Sequence, residues 1–117
     1  MNLKDLGYLD GEIKIYDAML ENLDEMIDDR LFKAELAAVL ESIRLKCWLK
    51  LRELLEFVKS IPDAEVQEVV ILRYRERHTW QHIAVRMDYG SEATWRVRCK
   101  RYLKKYIPAY LEKQGMM

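Results

Sequence analysis

The sequence predicts an all-α fold: a helical, coiled-coil-like arm over residues 1–60, followed by a three-helix unit over residues 61–117. Three observations predict it. Glycine and proline are scarce, at four and two in 117 residues, and Val, Ile and Thr do not cluster in alternating runs, so helices are favoured over sheets. Apolar residues recur instead at steps of three and four, the spacing of one helix face. Finally, "SIPDAE" at 60–65 is a boundary with a mechanism. Pro62 disfavours helix at Ile61, while Asp63 can cap a helix that begins at Ala64.

The arm contains no glycine or proline between Glu12 and Ile61. Ile13, Tyr16, Leu20, Leu23 and Ile27 form a heptad seam with an acidic outer face of Asp17, Glu21, Asp24, Glu25, Asp28 and Asp29. A second series, Leu36, Leu40, Ile43, Cys47, Leu51, Leu54 and Val58, continues at nearly the same spacing, and Leu45, Trp48, Leu49 and Leu55 widen it. One bent helix or two helices fit this pattern. Two are expected, breaking near Asp28–Arg30, because Asp28 or Asp29 can cap the second and the seam falters at Arg30. The apolar surface exceeds what one small helical domain covers, so the arm is expected to form a homodimer through Ile13, Tyr16, Leu20, Leu23, Ile27, Leu36, Leu40 and Ile43.

The third helix is expected from Ala64 to Glu76, ending in the cationic Arg73, Arg75 and Arg77, which suit a helix C-terminus. The fourth runs from Trp80 to Met87, with Ile83, Ala84 and Met87 inward. "DYGS" at 88–91 is the turn, where Asp88 or Gly90 can take the left-handed backbone conformation. The fifth starts after the capping Ser91 and runs to Tyr106, where Pro108 is expected to stop it. Its inner seam is Trp95, Cys99, Tyr102, Leu103 and Tyr106. Thr94 is the alternative to Trp95 as the first inward residue.

A net formal charge of zero hides an asymmetry. Residues 1–60 carry 9 Lys and Arg against 13 Asp and Glu, and residues 61–117 carry 11 against 7. A basic half joined to an acidic half is compatible with nucleic-acid binding, which a uniformly neutral chain is not. The basic residues concentrate in the fifth helix: Arg96, Arg98, Lys100, Arg101, Lys104 and Lys105 against Glu92 alone. A short helix, a tight turn with glycine and a longer basic helix make a helix-turn-helix. At about 100° per residue, Ala93, Val97, Lys100, Arg101 and Lys104 lie opposite the inner seam. Arginine bonds guanine edges bidentately, and Ala or Val can meet a thymine methyl.

"IPDAEVQEVVILRYRERHTWQHIAVRM" and "GSEATWRVRCKRYLKKY" resemble DNA-binding region four of bacterial sigma factors. They resemble still more the phage and prophage transcriptional regulators of the ArpU and RinA type, which carry a sigma-region-four-like domain. The resemblance rests on Pro62–Asp63, Leu72–Arg73–Tyr74, Thr79–Trp80, Ile83–Ala84, Ser91 and Leu103, and spans residues 60 to 106. There are two departures: the family often carries Gly where Arg77 stands, and the Asp88–Ser91 turn is one residue longer than the family's.

The resemblance and the basic face together predict a sequence-specific regulator that binds double-stranded DNA. Glu92, Ala93, Arg96, Val97, Lys100 and Arg101 are expected at base edges, and Arg77, Thr79, Gln81 and Lys104 at phosphates. Two alternatives remain: a DNA-recognition subunit like that of a small terminase, and a module that contacts RNA polymerase, as sigma region four does.

Neither catalysis nor a cofactor is expected, since no Gly-rich phosphate loop and no His–carboxylate–nucleophile set occurs. Cys47 and Cys99 sit in helical patterns without metal-type spacing, so reduced thiols are expected. Charged residues interrupt the opening segment and no apolar run approaches the ~20 residues of a membrane span, so a cytoplasmic location is predicted. "HTWQH" at 78–82 places two histidines at the i, i+4 spacing of zinc ligands. If Thr79 caps a helix starting at Trp80, His78 lies outside it, the ligand geometry is not expected, and no metal site is predicted.

Overall fold

A computed structural model of the chain describes residues 1–115, and among them every regular element is helical. Helix α1 spans Asp5–Glu21, α2 is a single turn at Leu23–Met26, and α3 spans Arg30–Ser60. Helix α4 covers Ala64–Val70 and widens into a π-helical turn at Ile71–Arg75, α5 spans Trp80–Arg86, and α6 spans Glu92–Lys113.

The arm is two helices with a one-turn connector, not one bent rod. Asp29 caps α3 with its carboxylate, which accepts from the Phe32 N–H at 3.0 Å. Helices α1 and α3 pack antiparallel, as their ion pairs show: Asp5 meets Lys50 and Asp17 meets Arg44, while Asp24 of α2 meets Lys33. The eight residues expected on a dimer seam are buried or half-buried, seven on these two helices and α2 and Ile27 just after α2. The physical reason is local concentration. A partner helix a few residues along the same chain satisfies a heptad seam before a second molecule can.

One core runs across the boundary at residue 61. Leu3, Leu6, Leu9 and Ile13 join Leu51, Leu54, Phe57 and Val58 of α3, Val66, Val69 and Val70 of α4, Ile83 of α5, and Trp95, Cys99 and Leu103 of α6. Burial at roughly 25 cal/mol per Å2 of apolar surface thus ties the first turns of the chain to its last helix. Gly7 makes this approach possible. A Cβ there would lie 2.9 Å from the Tyr74 carbonyl oxygen and 3.1 Å from that of Arg75.

Two expectations change. Pro108 was expected to end the last helix, yet α6 continues through it to Lys113. Proline removes one backbone hydrogen bond, and aromatic packing offsets the loss. Phe57 meets Tyr110 edge-on at 4.9 Å, and Tyr106 stacks on both Tyr102 and Tyr110. The Ala64–Glu76 helix is α-helical only to Val70, and its last turn is π-helical. Among the described residues, no helix is long and apolar enough to cross a membrane.

Candidate nucleic-acid interface

Three capping side chains place the segment from residue 63 to residue 94. Asp63 accepts from the Glu65 and Val66 N–H groups at 3.1 and 3.2 Å. Thr79 accepts from the His82 N–H at 3.1 Å, and Ser91 accepts from the Thr94 N–H at 3.2 Å. Each cap satisfies N–H groups that a helix start leaves free. Trp80 is therefore the first residue of α5. Between α5 and α6, both Asp88 (φ 69°) and Gly90 (φ 79°) adopt the left-handed conformation.

Arg77 takes the left-handed conformation too, at φ 59°. Glycine is the usual residue in this conformation, and here a residue with a Cβ makes the turn itself at a cost of about 1–2 kcal/mol. Hydrogen bonds hold it there: the His78 N–H donates to the Leu72 carbonyl at 2.9 Å, and Arg73 donates to the His78 carbonyl at 3.0 Å. The reversal returns His78 over the start of α5. Its ring stacks on that of His82, with centroids 4.4 Å apart and planes 11° from parallel. His78 lies outside α5, as the Thr79 cap implies, and the two rings meet because the turn supplies a proximity that the helix alone does not. Among the described residues, no group of three or more His, Cys, Asp or Glu is placed to hold a metal ion.

Helix α6 enters its register at Trp95, which is 1% exposed, while Thr94 is exposed. The Trp95 indole N–H donates to the Tyr89 carbonyl at 2.7 Å, pinning the helix to its preceding turn. This register leaves Ala93, Val97, Lys100, Arg101 and Lys104 exposed together. Thr94 and Lys105, which were not among the expected DNA contacts, line the same open groove as Val97, Arg101 and Lys104. Their signal was available, since both flank that stripe on the helical wheel.

The cations of the C-terminal half divide by their partners. Arg75 reaches Asp10 at 3.4 Å and Arg98 reaches Asp63 at 3.0 Å and Glu65 at 3.2 Å. Arg96 pairs with Glu92 one turn back at 3.2 Å; such an exposed pair is worth only about 0.3–0.5 kcal/mol, so either side chain is readily released. Among the described residues, Arg77, Lys100, Arg101, Lys104 and Lys105 make no ion pair. Thr79 and Gln81 are exposed at the first turn of α5.

Arg98 is the residue whose role the sequence hid. Its guanidinium bridges the Asp63 and Glu65 carboxylates, donates to the Tyr89 hydroxyl oxygen at 3.2 Å, and lies 5.0 Å from the Trp95 ring centre. It joins the starts of α4 and α6 through the intervening turn, and so positions the basic helix. Tyr89 and Asp63 beside it hold the Arg98 pKa above its ordinary value. Partial burial pushes the Asp63 carboxyl up, but the Val66 N–H, the Arg98 guanidinium and the Glu65 N–H outweigh it and leave the pKa lowered. The Glu65 carboxylate, accepting the Tyr89 hydroxyl proton, raises Tyr89. Burial pushes the Cys99 thiol up to about 11, so it is a neutral core group at physiological pH, and both cysteines are free thiols.

Comparison with protein-family models, curated proteins and solved structures found no match to this chain.

Proposed function

We propose that this chain is a sequence-specific DNA-binding transcription regulator, phage- or prophage-encoded as its resemblance implies. In this reading α4, α5 and α6 form a sigma-region-four-like helix-turn-helix, and α6 lies in the major groove. The observation that carries the reading is the outer face of α6, where Lys100, Arg101, Lys104 and Lys105 are exposed with no acidic partner. Unpaired cations along one helix are the electrostatic footprint of a phosphate-binding surface. Arg96, Lys100 and Arg101 then read base edges, with Ala93 and Val97 in apolar contact and Glu92 able to accept from cytosine. Arg77, Thr79, Gln81 and Lys104 position the backbone.

The reading includes a homodimer, through a different surface from the seam. Leu31, Ala38 and Leu45 recur every seven residues on the outside of α3, beside Trp48 and Leu49, and the four large side chains are 44–71% exposed. A heptad stripe without an intrachain partner fits a like helix of a second copy. Two copies would read two half-sites.

Selection from random duplexes at fixed salt, followed by affinity measurements across salt concentrations, tests the reading. An enriched motif and a steep fall of affinity with salt are expected. Binding that ignores salt would instead favour a protein partner such as RNA polymerase, and rings larger than a dimer in light scattering would favour the packaging-subunit alternative.

A further inference from the structure

Beside the outer face of α6 lies a second cationic surface, and it is concave. A cleft of about 590 Å3 is lined by Lys4, Arg73, Tyr74, Arg77, Trp80 and Lys100. Four of these six side chains carry positive charge at neutral pH, and none is acidic. Among the described residues, none of the four cations makes an ion pair. Two cations of the neighbouring elements, Arg75 and Arg98, do have acidic partners. Gathering four unpaired cations in one cleft is unfavourable without an anion to share.

The cleft is assembled from four stretches, namely the residue before α1, the π-turn with the turn that follows it, the start of α5, and the middle of α6. Arg77 reaches it from a backbone conformation that residues with a Cβ seldom adopt, φ 59°. Strain of this kind concentrates at ligand sites. Arg73 is already oriented, because its guanidinium lies 5.0 Å from the Trp80 ring centre and donates one bond to the His78 carbonyl. Its remaining N–H groups form a rigid fork suited to phosphate oxygens. Tyr74 and Trp80 supply apolar walls, which strengthen a charge-assisted hydrogen bond by excluding water.

We propose that this cleft binds a phosphate group, gripped by Arg73 of the π-turn, Arg77 of the turn after it, Lys100 of α6 and Lys4 of the chain's opening segment. Lys100 belongs to both the cleft and the outer face of α6, so the phosphate comes either from a DNA strand passing α6 or from a free phosphorylated molecule. The DNA source rests on the proposed function, and the phosphate preference of the cleft does not.

The test uses the full chain with 15N-labelled tryptophan, identifying Trp80 by the signal lost in Trp80→Phe. Inorganic phosphate is expected to shift the Trp80 indole signal saturably, whereas chloride at matched ionic strength does not. Lys4 is exposed and its side chain makes no capping bond, so Lys4→Glu removes a ligand-facing charge while leaving the fold. That variant, and independently Lys100→Gln, should weaken phosphate binding by about tenfold. No saturable shift, an equal shift in chloride, or unchanged affinity in both variants overturns the proposal. Duplex binding separates the sources. If Lys4→Glu lowers the slope of log affinity against log salt by about one, the phosphate belongs to DNA. An unchanged slope with the Trp80 shift intact assigns a free phosphorylated ligand. A chain that binds no duplex yet shows the phosphate shift would refute the proposed function and leave the cleft standing.

Discussion

The two longest helices, α3 with 31 residues and α6 with 22, bury similar inner faces and present opposite outer ones. Inside, α3 contributes Leu51, Leu54, Phe57 and Val58, and α6 contributes Trp95, Cys99 and Leu103 to the same core. Outside, α3 shows Leu31, Leu45, Trp48 and Leu49 among mixed charges, whereas α6 shows Lys100, Arg101, Lys104 and Lys105 without an acid. The inner faces are what packing requires of any helix in this position. The outer faces are free of that requirement, and on the proposed reading their difference separates a protein-facing surface on α3 from a polyanion-facing one on α6.

The comparison breaks most visibly if an inner face is emptied. Trp95→Ala should cost about 3–5 kcal/mol by leaving a cavity under α6, seen as a lower urea midpoint in chemical denaturation. It should abolish DNA binding only because the helix is lost. Gly7→Ala should cost about 1–3 kcal/mol, since a methyl there meets backbone carbonyls that cannot rotate away; a neutral result would show that α1 can slide along the π-turn.

The outer face of α6 should behave the other way. Arg96→Ala or Arg101→Ala should leave stability within about 0.5 kcal/mol and cost about 1–3 kcal/mol of discrimination between selected and random duplexes. Lys104→Ala should weaken both duplexes alike. Equal losses for all three on both duplexes would remove the distinction between base and phosphate contacts.

The junction that aligns the two helices should respond to pH at both ends of the scale. The Asp63 pKa is lowered in the folded chain, so its stabilisation is present above the unfolded carboxylate value of about 3.9 and is lost as pH falls through the folded value. Asp63→Asn should flatten that acid limb of the stability curve. The Cys99 pKa is raised to about 11. Between the unfolded thiol value of about 8.5 and the folded one, the unfolded state loses its proton first, so stability falls as pH rises. Cys99→Ala should remove that alkaline limb while lowering stability overall through its cavity.

The smallest effect on folding belongs to α3's outer face. Trp48→Ala should change the stability of the single chain by no more than about 0.5 kcal/mol while shifting the mass in light scattering from dimer to monomer. A mass unaffected by this change would leave the apolar stripe of α3 without a second copy as its partner.

Much of the local architecture was legible in the residues themselves. Asp29, Asp63, Thr79 and Ser91 each cap the helix expected of them, because a capping side chain needs only the two or three residues that follow it. The inward register of α6 was legible for a similar reason: Trp95, Cys99 and Leu103 lie within one turn or two of each other. Arg98 was not legible, since its partners Asp63 and Glu65 stand more than thirty residues away and its type matches that of its solvent-facing basic neighbours.

Amino-acid order alone determined that this chain is helical, where most helices begin, and that positive charge gathers on one face of the last one. Those properties depend on contacts within a few residues, where chain geometry leaves little choice. Only the tertiary structure decided the rest. The seam of the arm closes within one chain, α6 passes through Pro108 on a bed of aromatic rings, and Arg77 turns left-handed so that His78 meets His82. It also decided which cations are neutralised and which remain open, and it brought Lys4 beside Lys100. Each of these outcomes balances a small local penalty against packing or charge from a distant part of the chain, and that distant partner is what a linear pattern does not contain.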